Sequence, residues 1–400
     1  MKKVCMITHD SPYIDRRILL EAKSLIENGY NVTIIHPFGE VNSDFANVGI
    51  NYISTNPNIN IKNGFSVSKR VLRKILPQKI YESLKSLYFT VAKTDFIDYE
   101  KELKEMAIQN DYDIYVAHDL PALPIAHYAS KIKSAKLVYD AHEFFTGQIA
   151  LKGKRKKFFQ ELEKKLISDV DLMFTVNKDI AKLFEKAYNI SNIQILLNSI
   201  EKKEVHKIDL HNKLNISKEK KIVLYQGGFL EDRNLEVLVK SAQYLSEKIV
   251  LVMLGYSFLE KKLKNIAINA QTINKKVFFL DRVPQKELLN YTAGADVGII
   301  PYPAIDLNTT YCTPNKMFEF ISAGIPIIAN DELITVKNIF KEHKIGKLIS
   351  FKNSKTIAEG LNNIVLQDDL KNIKLNLKNA KQYFSWESQE QILIDAFKEL

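Results

Sequence analysis

The sequence predicts an α/β protein built from two doubly wound domains, and three observations support this. The chain has 400 residues, more than one ordinary domain needs. Short apolar runs alternate with longer amphipathic runs along most of its length. Such alternation is typical of a parallel sheet covered by helices on both faces. A polar, lysine-rich stretch at residues 201–221 has little periodicity, so we predict the domain boundary there.

Each half of the chain contains six apolar runs that we predict as strands, separated by helices such as 15–28 and 121–131. The strand runs of the first half are residues 3–8, 31–36, 114–118, 136–139, 172–176 and 193–197. Those of the second half are residues 222–225, 249–254, 277–280, 297–300, 325–329 and 346–349. In the tail, helical spacing of apolar residues predicts a terminal helix. The predicted domains are therefore 1–200 and 201–382, with the helix 383–400 packing back on the first.

Composition and cysteine usage exclude several classes of protein. The chain is 46% hydrophobic and 26% charged, which is ordinary globular composition. Cys5 and Cys312 lie far apart, so free thiols in a reducing compartment are expected. The basic start of the chain precedes only a short apolar run without the cleavage site of a signal peptide. No run of about 18 apolar residues could span a membrane. The expected location is the cytoplasm.

Positive charge concentrates in two segments of this chain, whose net charge is +10. Residues 62–93 hold eight basic residues and one acid, Glu82, interleaved with apolar residues. That mixture predicts an amphipathic helix on anionic lipid, hence peripheral contact with the inner membrane face. Residues 151–165 hold seven basic and two acidic residues, and either run could instead be a solvated face. Neither run has the paired aromatic stacking platforms of nucleic-acid modules, so no nucleic-acid partner is expected.

One helix that runs straight into a strand gives the strongest site signal. Thr313 is the predicted N-cap and Pro314 the first helical residue, while Gly324 suits the left-handed C-cap. Glu319 lies in an otherwise apolar helix, where a buried carboxylate needs a partner. The helix start offers free N–H groups beside Lys316, which suits a diphosphate. The segment therefore predicts a site for a nucleotide with ribose hydroxyls and phosphates.

Polar residues also follow two neighbouring strands of the first predicted domain. His118 ends one strand, and His142 and Glu143 follow the next. In open α/β sheets, ligands bind beyond the carboxyl ends of the strands, so His118 is predicted to contact substrate. The alternative for His118 is a cap on the next helix. His142 and Glu143 could line the same site or bond each other in a structural role.

Two loops of the second domain are further candidates. Gly227 and Gly228 follow its first strand, and glycines there let the backbone approach a ligand closely. Arg233 could present a planar fork to phosphate oxygens. Arg282 follows another strand and could contact a nucleotide base through its backbone. Each loop could equally be a plain turn, since these residues form neither a dinucleotide fingerprint nor a P-loop.

Taken in order, these residues resemble the retaining glycosyltransferases of the GT-B fold, specifically glycosyltransferase family 4. The resemblance covers nearly the whole chain and is strongest from Tyr225 to Gly346. It implies two Rossmann-like domains that face each other across a cleft. The motifs that carry the resemblance are the first helix with Asp15, Arg16, Arg17 and Glu21; His118; Tyr139 to Glu143; Leu197 to Ile200; Gly227 to Asn234; Pro314 to Glu319; Ala323 to Pro326; and Trp386.

The resemblance also implies roles for the site residues. Glu319 would bind the ribose hydroxyls of a nucleotide sugar, UDP- or GDP-linked. Arg233 and Lys316 would hold its diphosphate together with the helix start at Thr313 and Asn315. His118 would contact the transferred sugar. Among the remaining candidates, Gly227, Gly228 and Arg282 belong to the donor side, and Asp15, Arg16, His142 and Glu143 to the acceptor side. Neither a metal nor another cofactor is implied, because cations and a helix dipole neutralise the leaving diphosphate.

Two departures from the family pattern keep other functions open. The first of two glutamates that the family often carries falls at Tyr311, and its usual loop arginine falls at Gly228. The sequence predicts a metal-independent, retaining hexosyltransferase that acts on a glycan or lipid-linked acceptor in cell-surface polysaccharide or glycoconjugate synthesis. The alternatives are a non-hydrolysing sugar-nucleotide epimerase, which shares the fold, and a catalytically silent protein that binds nucleotide sugars.

Overall fold

The computed structural model describes residues 1–9, 15–37, 48–55, 100–367 and 370–400. The basic segment 62–93 lies outside these described residues. The chain divides into two compact units. Met1–Leu196 together with Ile392–Leu400 forms the N-terminal unit, and Leu197–Gln391 forms the C-terminal unit.

The N-terminal unit contains a seven-stranded, all-parallel sheet in the order β3-β2-β1-β4-β5-β6-β7. The strand order reverses between β1 and β4, which is the position where open α/β sheets bind ligands beyond the strand ends. His118 ends β4, and β5 lies beside it as predicted. The strands are β1 Lys3–Ile7, β2 Asn31–His36, β3 Asn51–Ser54, β4 Ile114–His118, β5 Lys136–Ala141, β6 Leu172–Thr175 and β7 Gln194–Ile195.

Five α-helices are described in the first 196 residues of the N-terminal unit. They are α1 Arg16–Glu27, α2 Glu100–Ile108, α3 Asp119–Lys133, α4 Gly153–Ile167 and α5 Lys178–Tyr188. Asp15 caps α1 by accepting a hydrogen bond of 3.0 Å from the backbone N–H of Arg17. Such a cap satisfies a donor that the helix itself cannot pair. It also holds Asp15 next to the carboxyl ends of β4 and β5.

The C-terminal unit contains a six-stranded parallel sheet in the order β10-β9-β8-β11-β12-β13. Its order reverses between β8 and β11, and β9 is buried along its whole length, as expected for a sheet covered on both faces. The strands are β8 Lys221–Gln226, β9 Ile249–Leu254, β10 Val277–Leu280, β11 Val297–Ile300, β12 Ile327–Asn330 and β13 Gly346–Ile349.

The helices of the second half follow the same alternation. They are α6 Leu210–Lys213, α7 Leu235–Ser241, α8 Glu260–Asn269, α9 Gln285–Thr292, α10 Leu307–Tyr311, α11 Asn315–Ala323, α12 Ile334–His343, α13 Ser354–Val365, α14 Leu370–Tyr383 and α15 Trp386–Lys398. The last residues of α15 pack within the N-terminal unit, where the Phe397 ring centroid lies 5.9 Å from that of Tyr30. None of the described helices is both long and apolar enough to cross a membrane.

The predicted terminal helix 383–400 is confirmed, since α15 spans Trp386–Lys398. The structure differs from the sequence-based prediction in three places. Helix α11 begins at Asn315 with Pro314 as its cap residue, so the predicted N-cap at Thr313 is wrong by one position. The stretch 201–221 contains the short helix α6. Strand β3 was not predicted, because its residues are only half-buried at the sheet edge and form no apolar run.

Candidate active site

Helix α11 places a buried ammonium group beside two tyrosine rings in the C-terminal unit. The Nζ of Lys316 lies 3.9 Å from the ring centroid of Tyr225 and 4.7 Å from that of Tyr302. Within the described part of the chain, this atom has no hydrogen-bond partner. Burial lowers the pKa of Lys316 well below its ordinary value, and the nearby charge of Arg233 lowers it further. An anionic ligand would supply the missing partner.

Arg233 brings a second cation to the same tyrosine. Its guanidinium carbon lies 4.1 Å from the ring centroid of Tyr302, and its Nε lies 3.5 Å from a carboxylate oxygen of Asp232. The side chain stays 27% exposed, so the group is held in place and remains reachable from solvent. Two positive groups beside one aromatic ring repel each other, and a bound anion would relieve that repulsion. The structure therefore brings together the two residues predicted to hold a diphosphate.

The glycine loop after β8 lies directly against the ammonium group. Gly227 has φ +118°, and a Cβ there would stand 3.4 Å from the Nζ of Lys316. Gly255, with φ +150°, meets the same loop, since a Cβ at that position would lie 2.0 Å from the Gly227 carbonyl oxygen. Gly228 is exposed, and its carbonyl accepts a bond of 2.9 Å from the Tyr225 hydroxyl. Only glycine fits at both contact points.

Glu319, one turn after Lys316 on α11, is half-buried and held by a side-chain amide. Its Oε2 accepts a hydrogen bond of 2.5 Å from the Nε2 of Gln226, the last residue of β8. The Gln226 Oε1 lies 2.8 Å from the hydroxyl of Thr292 on α9. The negative charge of Glu319 raises the pKa of Lys316 and so partly offsets the lowering by burial and Arg233. The two side chains therefore interact electrostatically.

The other predicted donor-side residues differ in their exposure to solvent. Thr313 is buried just before α11, and Asn315 is exposed at its first position. Arg282 is exposed after β10 and donates a bond of 3.3 Å to the hydroxyl of Tyr256. Tyr256 follows Gly255 and is 53% exposed. The ligand contacts of these residues stay predictions.

His118, in the N-terminal unit, is a buried imidazole with one nitrogen bonded. Its Nδ1 lies 3.1 Å from the Oδ2 of Asp140, and its Nε2 has no hydrogen-bond partner among the residues described. Burial lowers the pKa of His118, although Asp140 raises it in part. A neutral ring that donates from Nδ1 to a carboxylate leaves Nε2 as an acceptor. The geometry thus offers a hydroxyl-binding lone pair, and the side chain makes no capping bond to α3.

His142 is charged by the carboxylates around it. Its Nε2 lies 2.6 Å from Asp140 Oδ2, and its Nδ1 lies 2.9 Å from Asp15 Oδ2. Burial disfavours the charged ring, but Asp140, Asp119 and Asp15 together raise the pKa of His142 well above 6.5. Burial opposes ionisation of Asp15 too, yet the imidazolium lowers its pKa to about 2. Both groups are ionised near neutral pH.

Arg17 is the counter-ion of this buried network. Its Nε donates to Glu21 Oε1 at 2.8 Å and lies 3.2 Å from Asp140 Oδ2, while a terminal nitrogen contacts Asp140 Oδ1. Its other terminal nitrogen donates to the Leu196 carbonyl at 2.6 Å. Burial opposes the charge of Asp140, but Arg17 and His142 hold its pKa well below the usual range. Asp140 is therefore a fixed negative centre that orients His118 and His142.

Asp119 carries backbone strain at the point where β4 becomes α3. Its φ is +62°, a left-handed conformation that costs a non-glycine residue energy. Its Oδ1 accepts a bond of 2.8 Å from the backbone N–H of His142, which compensates the strain. Burial raises the pKa of Asp119 to about 7. Of the other acceptor-side candidates, Arg16 is half-buried on α1, and Glu143 accepts a bond from Gln148.

The same imidazoles form the one group of potential metal ligands within the described ranges. Donor atoms of His118, Asp140 and His142 lie within 4.8 Å of one another, so the group could hold a metal ion. Two imidazoles and a carboxylate are ordinary ligands of divalent transition metals. Here Arg17 already pairs with Asp140, and its positive charge opposes a cation at this position.

Sequence reasoning missed several of the residues that organise these sites. Asp140 and Gln226 lie inside or at the end of buried strands, where a polar residue is a signal because burial requires a partner. Tyr225 and Tyr302 gave no signal, since an aromatic residue near a strand end usually belongs to the core. Asp119 was passed over because its left-handed backbone cannot be read from residue type.

Comparisons with known proteins agree with this architecture. A family model described as "Glycosyltransferase Family 4" matches residues 14–203, and one described as "Glycosyl transferases group 1" matches residues 206–382. The uncharacterised glycosyltransferase MJ1069 of Methanocaldococcus jannaschii is 22% identical over 273 residues, 64% of this chain and 66% of that protein. UDP-glycosyltransferase 85C1 of Stevia rebaudiana is 26% identical over 244 residues, 56% of this chain and 46% of that protein.

The match therefore spans less than two thirds of the length of both curated relatives. A solved structure of Anabaena Alr3699/HepE in complex with UDP and glucose covers 100% of both chains with a TM-score of 0.72 and 13% sequence identity. At this identity the likeness shows the fold alone. Two parallel-sheet Rossmann-like units and two adjoining family models that together run from residue 14 to residue 382 give one conclusion: the chain belongs to the glycosyltransferases of the GT-B fold.

Proposed function

We propose that this protein transfers a sugar from a nucleotide-diphosphate donor to a glycan or lipid-linked acceptor, with retention at the anomeric carbon. The observation that carries the proposal is the buried, unpartnered ammonium of Lys316, placed with Arg233 around one tyrosine ring. Cations held in this way suit a group with two adjacent negative charges. Solved structures of the Anabaena protein hold UDP and UDP-glucose, which supports a nucleotide sugar as donor here.

Each unit has a separate part in the proposed reaction. In the C-terminal unit, Lys316, Arg233 and the start of α11 bind the diphosphate, and Glu319 accepts hydrogen bonds from the ribose hydroxyls. As the bond to the sugar breaks, negative charge grows on the departing diphosphate, and the two cations stabilise it without a metal. In the N-terminal unit, His118 accepts a hydrogen bond from a substrate hydroxyl through its Nε2. Asp140 fixes the ring in the tautomer that this requires.

A donor screen followed by a transfer assay tests the proposal. We expect UDP- or GDP-sugars to raise the melting temperature, because a ligand that binds only the folded chain stabilises it. With an acceptor present and EDTA added, we expect transfer to continue and the product to keep the anomeric configuration of the donor, as read by NMR. Glu319→Ala should weaken nucleotide binding about tenfold or more, since it removes hydrogen bonds to a charged group.

The possible outcomes separate this proposal from its rivals. Turnover of the nucleotide sugar without an acceptor would identify an epimerase. Donor binding without transfer to any acceptor would identify a silent binding protein. An inverted product would refute retention. Unchanged nucleotide affinity in both Glu319→Ala and Arg233→Ala would overturn the assignment of the donor site.

We also propose peripheral contact with anionic lipid, through the basic segments 62–93 and 151–165. The start of α4 carries exposed Lys154 and Lys157 and no acidic residue in its first turn. We expect the protein to sediment with vesicles that contain phosphatidylglycerol and to be released by salt. Reversing both charges in Lys154→Glu/Lys157→Glu should lower the partition constant at least tenfold, at roughly 1 kcal/mol for each charge.

The control for the vesicle experiment is Lys240→Glu, which reverses an exposed charge on α7 of the C-terminal unit. It should leave sedimentation unchanged. Equal binding to vesicles of phosphatidylcholine alone would remove the electrostatic argument for membrane contact.

A further inference from the structure

The carboxylate of Glu319 is held by a side-chain amide that no sequence motif pointed to. Gln226 is 1% exposed, and its Nε2 donates to Glu319 Oε2 at 2.5 Å. A buried amide at this depth must pair both its donor and its acceptor end. The acceptor end faces Thr292, a fully buried residue whose hydroxyl lies 2.8 Å from Gln226 Oε1. Two consecutive hydrogen bonds thus connect Thr292 on α9, Gln226 at the end of β8 and Glu319 on α11.

The direction of the amide follows from the chemistry of its neighbours. An ionised carboxylate accepts hydrogen bonds and donates none, so it selects the NH2 end of Gln226. The hydroxyl of Thr292 then meets the oxygen end, and its single proton is shared with the Leu288 carbonyl at 2.7 Å. A flipped amide would face its oxygen against the carboxylate and be repelled. The orientation of Gln226 is therefore fixed from both sides.

The amide constrains Glu319 in turn. Glu319 is the half-buried member of these three residues, and the hydrogen bond from Gln226 restricts rotation of its carboxylate about the last side-chain torsion. This hydrogen bond from a buried donor holds the Oε2 atom of Glu319 in place. A hydroxyl pair on a ligand is bound well only by a carboxylate whose position is set before binding.

We propose that Gln226, itself aligned by Thr292, is a positioning residue that orients the Glu319 carboxylate for the ribose hydroxyls of the donor. The inference rests on the proposed function, because it assumes that Glu319 binds ribose. Gln226 touches no reacting atom; its effect reaches the ligand through Glu319. It should therefore govern how strongly the protein distinguishes a ribose from a ribose without hydroxyls.

The test compares UDP with 2′,3′-dideoxy-UDP by calorimetry on the full chain, with the corresponding guanosine pair in parallel. Gln226→Met keeps the side-chain length and removes both amide groups. We expect this variant to reduce the ratio of the affinity for UDP to the affinity for 2′,3′-dideoxy-UDP about tenfold. The affinity for the dideoxy ligand should stay constant. Thr292→Val removes the aligning hydroxyl and should reduce this ratio by a smaller factor. Thr292→Ser retains the hydroxyl and should keep the ratio of the wild type.

Two further variants separate positioning from general loss of stability. Ser241→Ala removes another buried hydrogen bond of the same unit, from the Ser241 hydroxyl to the Leu238 carbonyl at 2.7 Å. It should leave the affinity ratio unchanged. Glu319→Gln should lower the ratio, and Gln226→Met should add nothing in that background, because the group on which it acts is gone.

The outcomes distinguish failure of this inference from failure of the proposed function. If Glu319→Gln lowers the ratio and Gln226→Met and Thr292→Val do not, the positioning role is wrong and the donor site stands. If Glu319→Gln leaves the wild-type ratio intact, the donor-site assignment itself is wrong. An equal loss of affinity for both ligands in Gln226→Met would make Gln226 merely structural.

Discussion

Replacing Lys316 with methionine is expected to make the free protein more stable and to reduce its transfer activity at least a hundredfold. Removal of one preorganised hydrogen-bond donor that stabilises the charge of the transition state typically lowers kcat by a factor of about 10²–10³. Methionine fills a similar volume next to Tyr225 and Tyr302 and needs no counter-ion. Burying a polar amine without a hydrogen-bond partner costs free energy, and methionine removes that cost.

The lowered pKa of Lys316 gives this prediction its pH dependence. In the unfolded chain the amine titrates near its ordinary value, whereas burial holds the folded pKa well below that value. Between these two values the unfolded chain binds more protons, so the stability of the wild type rises with pH through that window. Lys316→Met should abolish this rise. Chemical denaturation from neutral to alkaline pH measures it, with Lys240→Met as the exposed-lysine control.

Nucleotide binding by the wild type should take up a proton, since an adjacent diphosphate raises the pKa of the amine. Calorimetry in buffers of different ionisation enthalpy detects the uptake, which Lys316→Met should lose. A variant that retained activity, or whose free form was less stable than the wild type, would contradict the assignment of Lys316 to the diphosphate.

The second large effect is expected at Arg17. Arg17→Met removes the guanidinium that pairs with Asp140 and Glu21 and leaves Asp140 with the imidazolium of His142, and breaking a buried pair from one side costs about 3–5 kcal/mol. For a unit of this size, that corresponds to a fall in melting temperature of roughly 6–20 °C. Calorimetry measures this fall in melting temperature. The variant also loses the hydrogen bond that joins α1 to the Leu196 carbonyl.

An exposed ion pair provides the comparison for Arg17. Lys101 and Glu105 on α2 lie 3.9 Å apart, with side chains 81% and 64% exposed. Lys101→Met should change stability by less than about 0.5 kcal/mol, since solvent screens such pairs. If both variants had equally small effects, the network around Asp140 would not contribute to the stability of the N-terminal unit.

Much of the fold could be predicted because the strands are continuous apolar runs. In both units the six predicted strands correspond to observed ones, since buried parallel strands leave a clear signal in sequence. Strand β3 gave no such signal at its half-exposed edge. The predicted terminal helix 383–400 corresponds to α15, because its apolar residues recur at helical spacing.

The candidate site was only partly predictable, and the reason is physical. Lys316 and Glu319 could be found because they stand out in an apolar helix next to a glycine and a proline. The tyrosines beneath the cations and the amide of Gln226 come from other strands. Their roles depend on which strand ends the sheet brings together. Likewise, the pairing of Arg17 with Asp140 depends on β5, which brings Asp140 against α1.

The approach of Gly255 to the Gly227 carbonyl has a consequence for how donor preference can change over evolution. Because any side chain at position 255 would overlap that oxygen, residue 255 cannot be enlarged without displacing the loop that holds Gly227. On the prediction that Arg282 contacts the nucleotide base, we expect variation in base choice at the exposed neighbours Tyr256 and Arg282. Libraries meant to retune this protein should diversify those two positions and leave the paired glycines fixed.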